Sequence, residues 1–221
     1  MSFDAQTVQM LAVGTLETLY MIFASAVMAY VIGLPLGVIL VVTDKDGIRP
    51  MPVVNQILGF IINILRSIPF IILLIMILPI TRAIAGTTIG VNATVVPLVA
   101  SAAPYIARMI ESALKEVDAG VIEAAKSMGA STWQIIYKVL LPESVPVNLM
   151  GTAITVTTIL GYTAMTGFTG GGGLGGIAVN YGYYRYETAI MLVSVVLLIV
   201  IVQIIQAAGV KLSRKCDKRI R

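Results

Sequence analysis

Residues 15–42 read TLETLYMIFASAVMAYVIGLPLGVILVV, and after Glu17 no charged side chain interrupts the chain until Asp44. A helix rises about 1.5 Å per residue, so the roughly 20 apolar residues needed to cross a 30 Å hydrocarbon layer are present with some to spare. Runs of similar character follow at 53–80, 93–114, 145–166 and 189–208. Apolar side chains in unbroken runs, rather than in one-sided stripes, make lipid the solvent for most of the chain. Composition agrees, because 58% of the 221 residues are apolar and 12% are charged, against about 25% charged in soluble domains. The expected fold class is all-α: a polytopic membrane protein of about five transmembrane helices in a single domain, 1–221.

Turn-forming residues separate the runs: Asp44, Asp46, Gly47, Pro50 and Pro52, then Gly86 and Gly90, then a long polar segment, then the glycine-rich stretch 167–176. Cytoplasmic loops retain Lys and Arg. Lys45 and Arg49 mark the first loop, and Arg108, Lys115, Lys126 and Lys138 surround the third. Lys211, Arg214, Lys215, Lys218, Arg219 and Arg221 fill the tail, whereas Arg82 and Arg185 fall on the other side. With an odd number of spans, this bias places the N-terminus outside and the C-terminus in the cytoplasm. No Lys or Arg precedes Lys45, so the basic start of a secretory signal is missing and the first run is expected to persist as a span. The basic tail 211–221 reads as a stop-transfer segment in contact with anionic membrane lipid, not as a nucleic-acid site. Cys216 has no disulfide partner and histidine is absent. No metal site and no catalytic residue is therefore expected.

Between the third and fourth runs, 118–142 reads DAGVIEAAKSMGASTWQIIYKVLLP. Asp118 can cap a first short helix, and Gly129 suits the left-handed position that ends it. Ser131 with Gln134 three residues on makes a capping box for a second helix, where Trp133, Ile136, Tyr137 and Leu140 recur at helical spacing. Pro142 is expected to close the unit. Ala124 and Ala125 leave a flat surface beside the single charge of Glu123. One carboxylate is no acid/base pair, so the corner reads as a docking surface. Periodicity alone would equally suit an amphipathic helix lying on the membrane.

The spacing of Glu123, Ala124, Ala125, Gly129, Val139, Leu141 and Pro142 resembles the EAA loop of ABC-importer permeases, Val139 standing where Ile is more usual. Asn63 to Pro69, NILRSIP, is similar to the Arg-Ser/Gly-X-Pro segment of amino-acid permeases of this class, and 68–90 with 161–186 resembles the methionine-importer branch. The resemblance implies that 118–142 is a cytoplasmic coupling loop seated in a cleft of a partner ATPase subunit, present in two copies. Glu123, Ala124, Ala125, Gly129, Leu141 and Pro142 would be its coupling residues. It implies further partners: an extracytoplasmic solute-binding protein and a second copy of this chain. No cofactor is expected in this chain itself, ATP and Mg belonging to the ATPase. The implied function is ATP-driven import of methionine by alternating access. Another amino acid or an osmolyte, carried by the same class of permease, is the alternative substrate.

Within the membrane, Arg66 falls midway along the second run, where a charge must face a cavity, find a partner or reach the interface. Two readings stand: Arg66 faces the bundle interior along the path, or 53–65 is an interfacial segment with Arg66 at the headgroups. Arg108 and Glu111 are spaced for a local ion pair. Thr155, Thr158, Tyr162 and Met165 recur down one face of the fourth run and are candidates for the translocation path, Met165 for a flexible constriction. The threonines could equally bond their own backbone carbonyls. Gly33 and Gly37 offer a small-residue packing face. Gly170 to Gly173 lack the pattern of a phosphate loop and read as a flexible external loop. A secondary transporter should carry paired mid-membrane acidic groups, and an intramembrane enzyme a nucleophile with its base; neither pattern occurs.

Overall fold

The computed structural model describes residues 4–216, so 217–221 of the basic tail lie outside the described residues. The first run becomes α1, Ala5–Thr43, which starts ten residues earlier than the hydropathy suggests because Asp4 caps it, accepting from the Ala5 N–H. The third, α5, spans Val91–Lys115. At 25 residues it is about 37 Å long, enough to cross a bilayer. Gly33 and Gly37 let α1 lie directly on α5: a Cβ at Gly33 would stand 2.8 Å from the Ala103 carbonyl oxygen, and one at Gly37 2.6 Å from that of Ala107. Close backbone approach of this kind replaces the hydrophobic drive that lipid cannot supply. Met21, Ile22, Leu98, Ile106 and Ile110 fill the seam and are fully buried.

The second run differs from the single helix its hydropathy suggests. It divides into α2 (Pro52–Ser67), α3 (Phe70–Met76) and α4 (Leu78–Ala85). The bend between α2 and α3 is 103°. Pro69 has no N–H to donate, and its ring drives the preceding Ile68 into extended backbone, ψ 123°, which stops α2. Among the described residues, four helices are thus long and apolar enough to span, five with this bent pair.

After the corner helices α6 (Ala119–Ser127) and α7 (Thr132–Ile135), a π turn over Ile136–Leu140 runs straight into α8, Leu141–Met165. Pro142 therefore does not close the corner. In a regular helix its ring would strike the residue 138 carbonyl. The wider turn just before it, with the Leu141 N–H bonded to the Ile136 carbonyl, removes that conflict, and one helix continues from Thr132 to Thr169. α8 packs between α5 and the last helix, α10 (Thr188–Cys216). Tyr30 of α1 hydrogen-bonds Thr152 of α8.

The glycine-rich stretch also differs from the expectation. It is not a loose loop but a 3-10 turn (Thr166–Thr169), a short helix α9 (Gly173–Ile177) and a π turn (Ala178–Tyr183), with every residue of α9 buried. Glycine is required twice over. Gly170, Gly172 and Gly173 have φ of +77°, +78° and +68°, and a Cβ at Gly175 would sit 2.6 Å from the Ala164 Cα. α1 holds the segment in place: the Gly173 N–H donates to Glu17 Oε2 at 2.8 Å and the Leu174 N–H to Thr18 Oγ1 at 2.9 Å.

Candidate functional site

The corner is built from local hydrogen bonds. Asp118 accepts from the Gly120 N–H at 2.7 Å and starts α6. α6 ends with the Gly129 N–H on the Lys126 carbonyl at 2.9 Å and the Ala130 N–H on the Ala125 carbonyl at 3.1 Å. This paired pattern needs a left-handed residue, and Gly129 supplies it at φ +77°. Ser131 and Gln134 then complete a reciprocal capping box that starts α7.

What the corner displays is set by which side chains the bundle takes up. Ala125 is buried in the same core cluster as Ile135, Ile136 and Leu140, so α6 meets α7 and the π turn through a small side chain. Glu123 and Ala124 face outward. Val121, Met128, Trp133 and Tyr137 of the same corner are also exposed, the last three to 81%, 73% and 65%. The helical stripe expected from Trp133, Ile136, Tyr137 and Leu140 splits, with Ile136 and Leu140 inward and the two aromatics outward, because the edge of the buried face runs between them. Leu141 is half-buried and Pro142 exposed. An exposed cluster of Trp, Tyr and Met beside one carboxylate and one Ala has the make-up of a docking surface.

The corner end of the bundle is tied by a network of charges. Lys115 Nζ lies 2.7 Å from Asp44 and 2.9 Å from Glu111, and Arg108 lies 2.6 Å from Glu111. Arg108 also donates to the Gly59 carbonyl at 3.0 Å and to Asn63 Oδ1 at 2.9 Å. Asn55 donates to the Leu40 carbonyl at 2.7 Å. Together these contacts bind α1, α2 and α5 into one unit. The Lys115 ammonium, and after it the Lys45 N–H, hold the Asp44 carboxyl below the usual aspartate range. Sequence spacing revealed only the i,i+3 member of this network; Asp44 and Lys115 are far apart in the chain and carried no signal.

Arg66 stands exposed in the last turn of α2, its guanidinium carbon 5.8 Å from the centroid of the Tyr105 ring. Both border a groove of about 530 Å³ along α5. The four α8 candidates do not share one surface. Thr155 is buried, its hydroxyl donating to the Gly151 carbonyl and lying 3.7 Å from the Met109 sulfur. Tyr162 stacks on Phe70 of α3 at 4.4 Å between ring centroids. Thr158, which bonds the Ile154 carbonyl, is half-buried, and Met165 is exposed. The open stripe of α8 runs instead through Met150, Ile154, Gly161 and Met165. Among the described residues no group of three or more His, Cys, Asp or Glu could hold a metal ion.

Residues 33–216 match the family model described as "Binding-protein-dependent transport system inner membrane component". The chain is 50% identical over 210 residues, 95% of itself and 93% of its relative, to a Vibrio cholerae protein named "Probable D-methionine transport system permease protein MetI". It is likewise 50% identical over 152 residues, 69% of itself and 70% of its relative, to the "D-methionine transport system permease protein MetI" of Escherichia coli K12. A solved chain of the MetNI methionine ABC transporter in its inward-facing conformations superimposes with a TM-score of 0.96 at 46% identity, covering 97% of this chain and 100% of that one. An amino acid ABC transporter solved with histidines shares the fold, with a TM-score of 0.79 at 18% identity and coverage of 97% and 100%.

Proposed function

This chain belongs to the family of binding-protein-dependent transport system inner membrane components, a family of transport subunits and not of enzymes, and on that premise we propose that it is the permease that imports methionine in an ATP-driven transporter. The reading of the substrate rests on the likeness to named methionine permeases along nearly the whole chain. The observation that carries the mechanism is the exposed corner: Glu123, Ala124, Met128, Trp133 and Tyr137 are all exposed, with no described part of this chain covering them.

In this reading the corner points into the cytoplasm and seats in a cleft of an ATPase subunit, which binds ATP and Mg. A second copy of the chain completes the path on a two-fold axis and brings a second ATPase with it. A solute-binding protein delivers methionine at the opposite face, where α1 begins. Because α7, the π turn and α8 form one continuous helix, a push on the corner becomes a tilt of α8. The charge network joining Asp44, Lys115, Glu111 and Arg108 makes α1, α2 and α5 follow as a body, and the path alternates between its two openings.

Reconstitution with the ATPase and binding protein in proteoliposomes tests this. ATP-dependent uptake of labelled methionine, well above that of other amino acids or an osmolyte, is the expected result. Uptake that proceeds without ATP, or that favours another solute, would overturn it.

A further inference from the structure

The 530 Å³ groove along α5 holds three cations, Arg66, Arg108 and Lys115, and one carboxylate, Glu111. Two of the cations are committed. Arg108 is held by Glu111, the Gly59 carbonyl and Asn63, and Lys115 by Asp44 and Glu111. Arg66 forms no ion pair among the described residues; its recorded neighbour is the face of Tyr105. Asn55 anchors α2 beside the end of α1, and Arg66 comes 11 residues later, about 16 Å along the helix. An unpaired guanidinium carried by an apolar helix is costly in the membrane unless an anion or water meets it.

The surroundings define what kind of anion fits. Met109 and Ser112 line this groove and also a second one of about 420 Å³, whose walls include Met150, Gly151 and Ile154. Met109 is set in place by Gly151, where a Cβ would fall 2.1 Å from its sulfur. One uncommitted cation therefore shares its groove with the thioether of Met109, which leads on to Met150 and Ile154 in the adjoining groove. That pairing suits a small molecule with a carboxylate at one end and an apolar, polarizable side chain at the other.

We propose that Arg66 receives the carboxylate of the amino acid in transit, while Met109 and Met150 form the wall along which its side chain passes. This rests on the functional reading above and gives it a substrate contact. A phospholipid headgroup offers the same oxyanion chemistry, so the test separates the two sources.

Arg66→Gln and Arg66→Lys complexes, each with its ATPase and binding protein, are reconstituted in vesicles of phosphatidylcholine alone and of phosphatidylcholine mixed with phosphatidylglycerol. Loss of a charged hydrogen bond should lower methionine uptake about tenfold in Arg66→Gln in both lipids, and Arg66→Lys should recover part of it. Normal Arg66→Gln uptake beside an active wild type overturns this proposal alone. So does a defect confined to vesicles with phosphatidylglycerol, which assigns Arg66 to lipid. A Lys variant no better than Gln, with both melting earlier than wild type, makes Arg66 structural and also overturns it. A wild type that carries no methionine overturns the functional reading and this contact with it.

Discussion

The two turns that interrupt the spans are built by opposite means. The corner at 118–142 is held by bonds between residues at most five positions apart: Asp118 to Gly120, Gly129 to Lys126, Ala130 to Ala125, and Ser131 with Gln134. The glycine-rich turn at 166–183 is held by residues more than 150 positions away, Glu17 and Thr18, and by direct backbone contact with α8. The first keeps its shape from its own sequence and leaves its surface free for a partner. The second has no shape without the bundle, and its packing helps to hold the bundle together.

The sharpest way to break this contrast is to enlarge Gly175. A leucine there must displace the Ala164 backbone, which a Cβ alone would approach to 2.6 Å. The variant should lose more than about 3 kcal/mol and fail to give a monodisperse peak in detergent. Glu17→Ala should cost about 2 kcal/mol, because it leaves the Gly173 N–H without its charged acceptor, and should lower the thermal unfolding temperature of the whole chain. At the corner the losses should be smaller and local. Gly129→Ala meets nothing within 4 Å, so only the strain of φ +77° remains, about 1 kcal/mol. Hydrogen exchange should rise at 119–135 while α1 and α5 keep their protection. Ser131→Ala should cost about 1 kcal/mol in the same assay.

The smallest effect expected is one of pH. The Asp44 carboxyl is held below its ordinary range by Lys115 and Lys45, so its contribution is complete above the unfolded value of about 3.9. It is lost as pH falls through the lower, folded value. Asp44→Asn should therefore lose the part of the acid dependence of unfolding that falls below about pH 4, with little change near neutrality. Both partners are partly exposed, which keeps the change modest.

The same contrast explains what could be read from the chain beforehand. The caps at Asp118, Gly129 and Ser131 are short-range codes, and each has a residue signature. Spans over 93–114 and 145–166 were legible because lipid demands long apolar runs. Pro69 lies inside the second run, but hydropathy averages over a proline and does not show the bend. The π turn over Ile136–Leu140 was hidden because one extra residue in a turn leaves no mark in composition. The glycines between 167 and 176 suggest freedom when taken alone, and only the presence of Ala164, Glu17 and Thr18 turns them into packing residues. Thr155 is buried for a similar reason: its surroundings are set by Met109 on another helix.

The central claim is that the corner takes its push from an ATPase, and Glu123→Lys tests it most directly. Glu123 is exposed and has no hydrogen bond or ion pair to another described residue, so the change should leave the fold intact while reversing the charge offered to the partner. ATP-dependent methionine uptake by the reconstituted complex should fall at least about tenfold, with less ATPase co-purifying and an unchanged unfolding temperature for the permease. Uptake at the wild-type rate, with the ATPase still bound, would contradict the account.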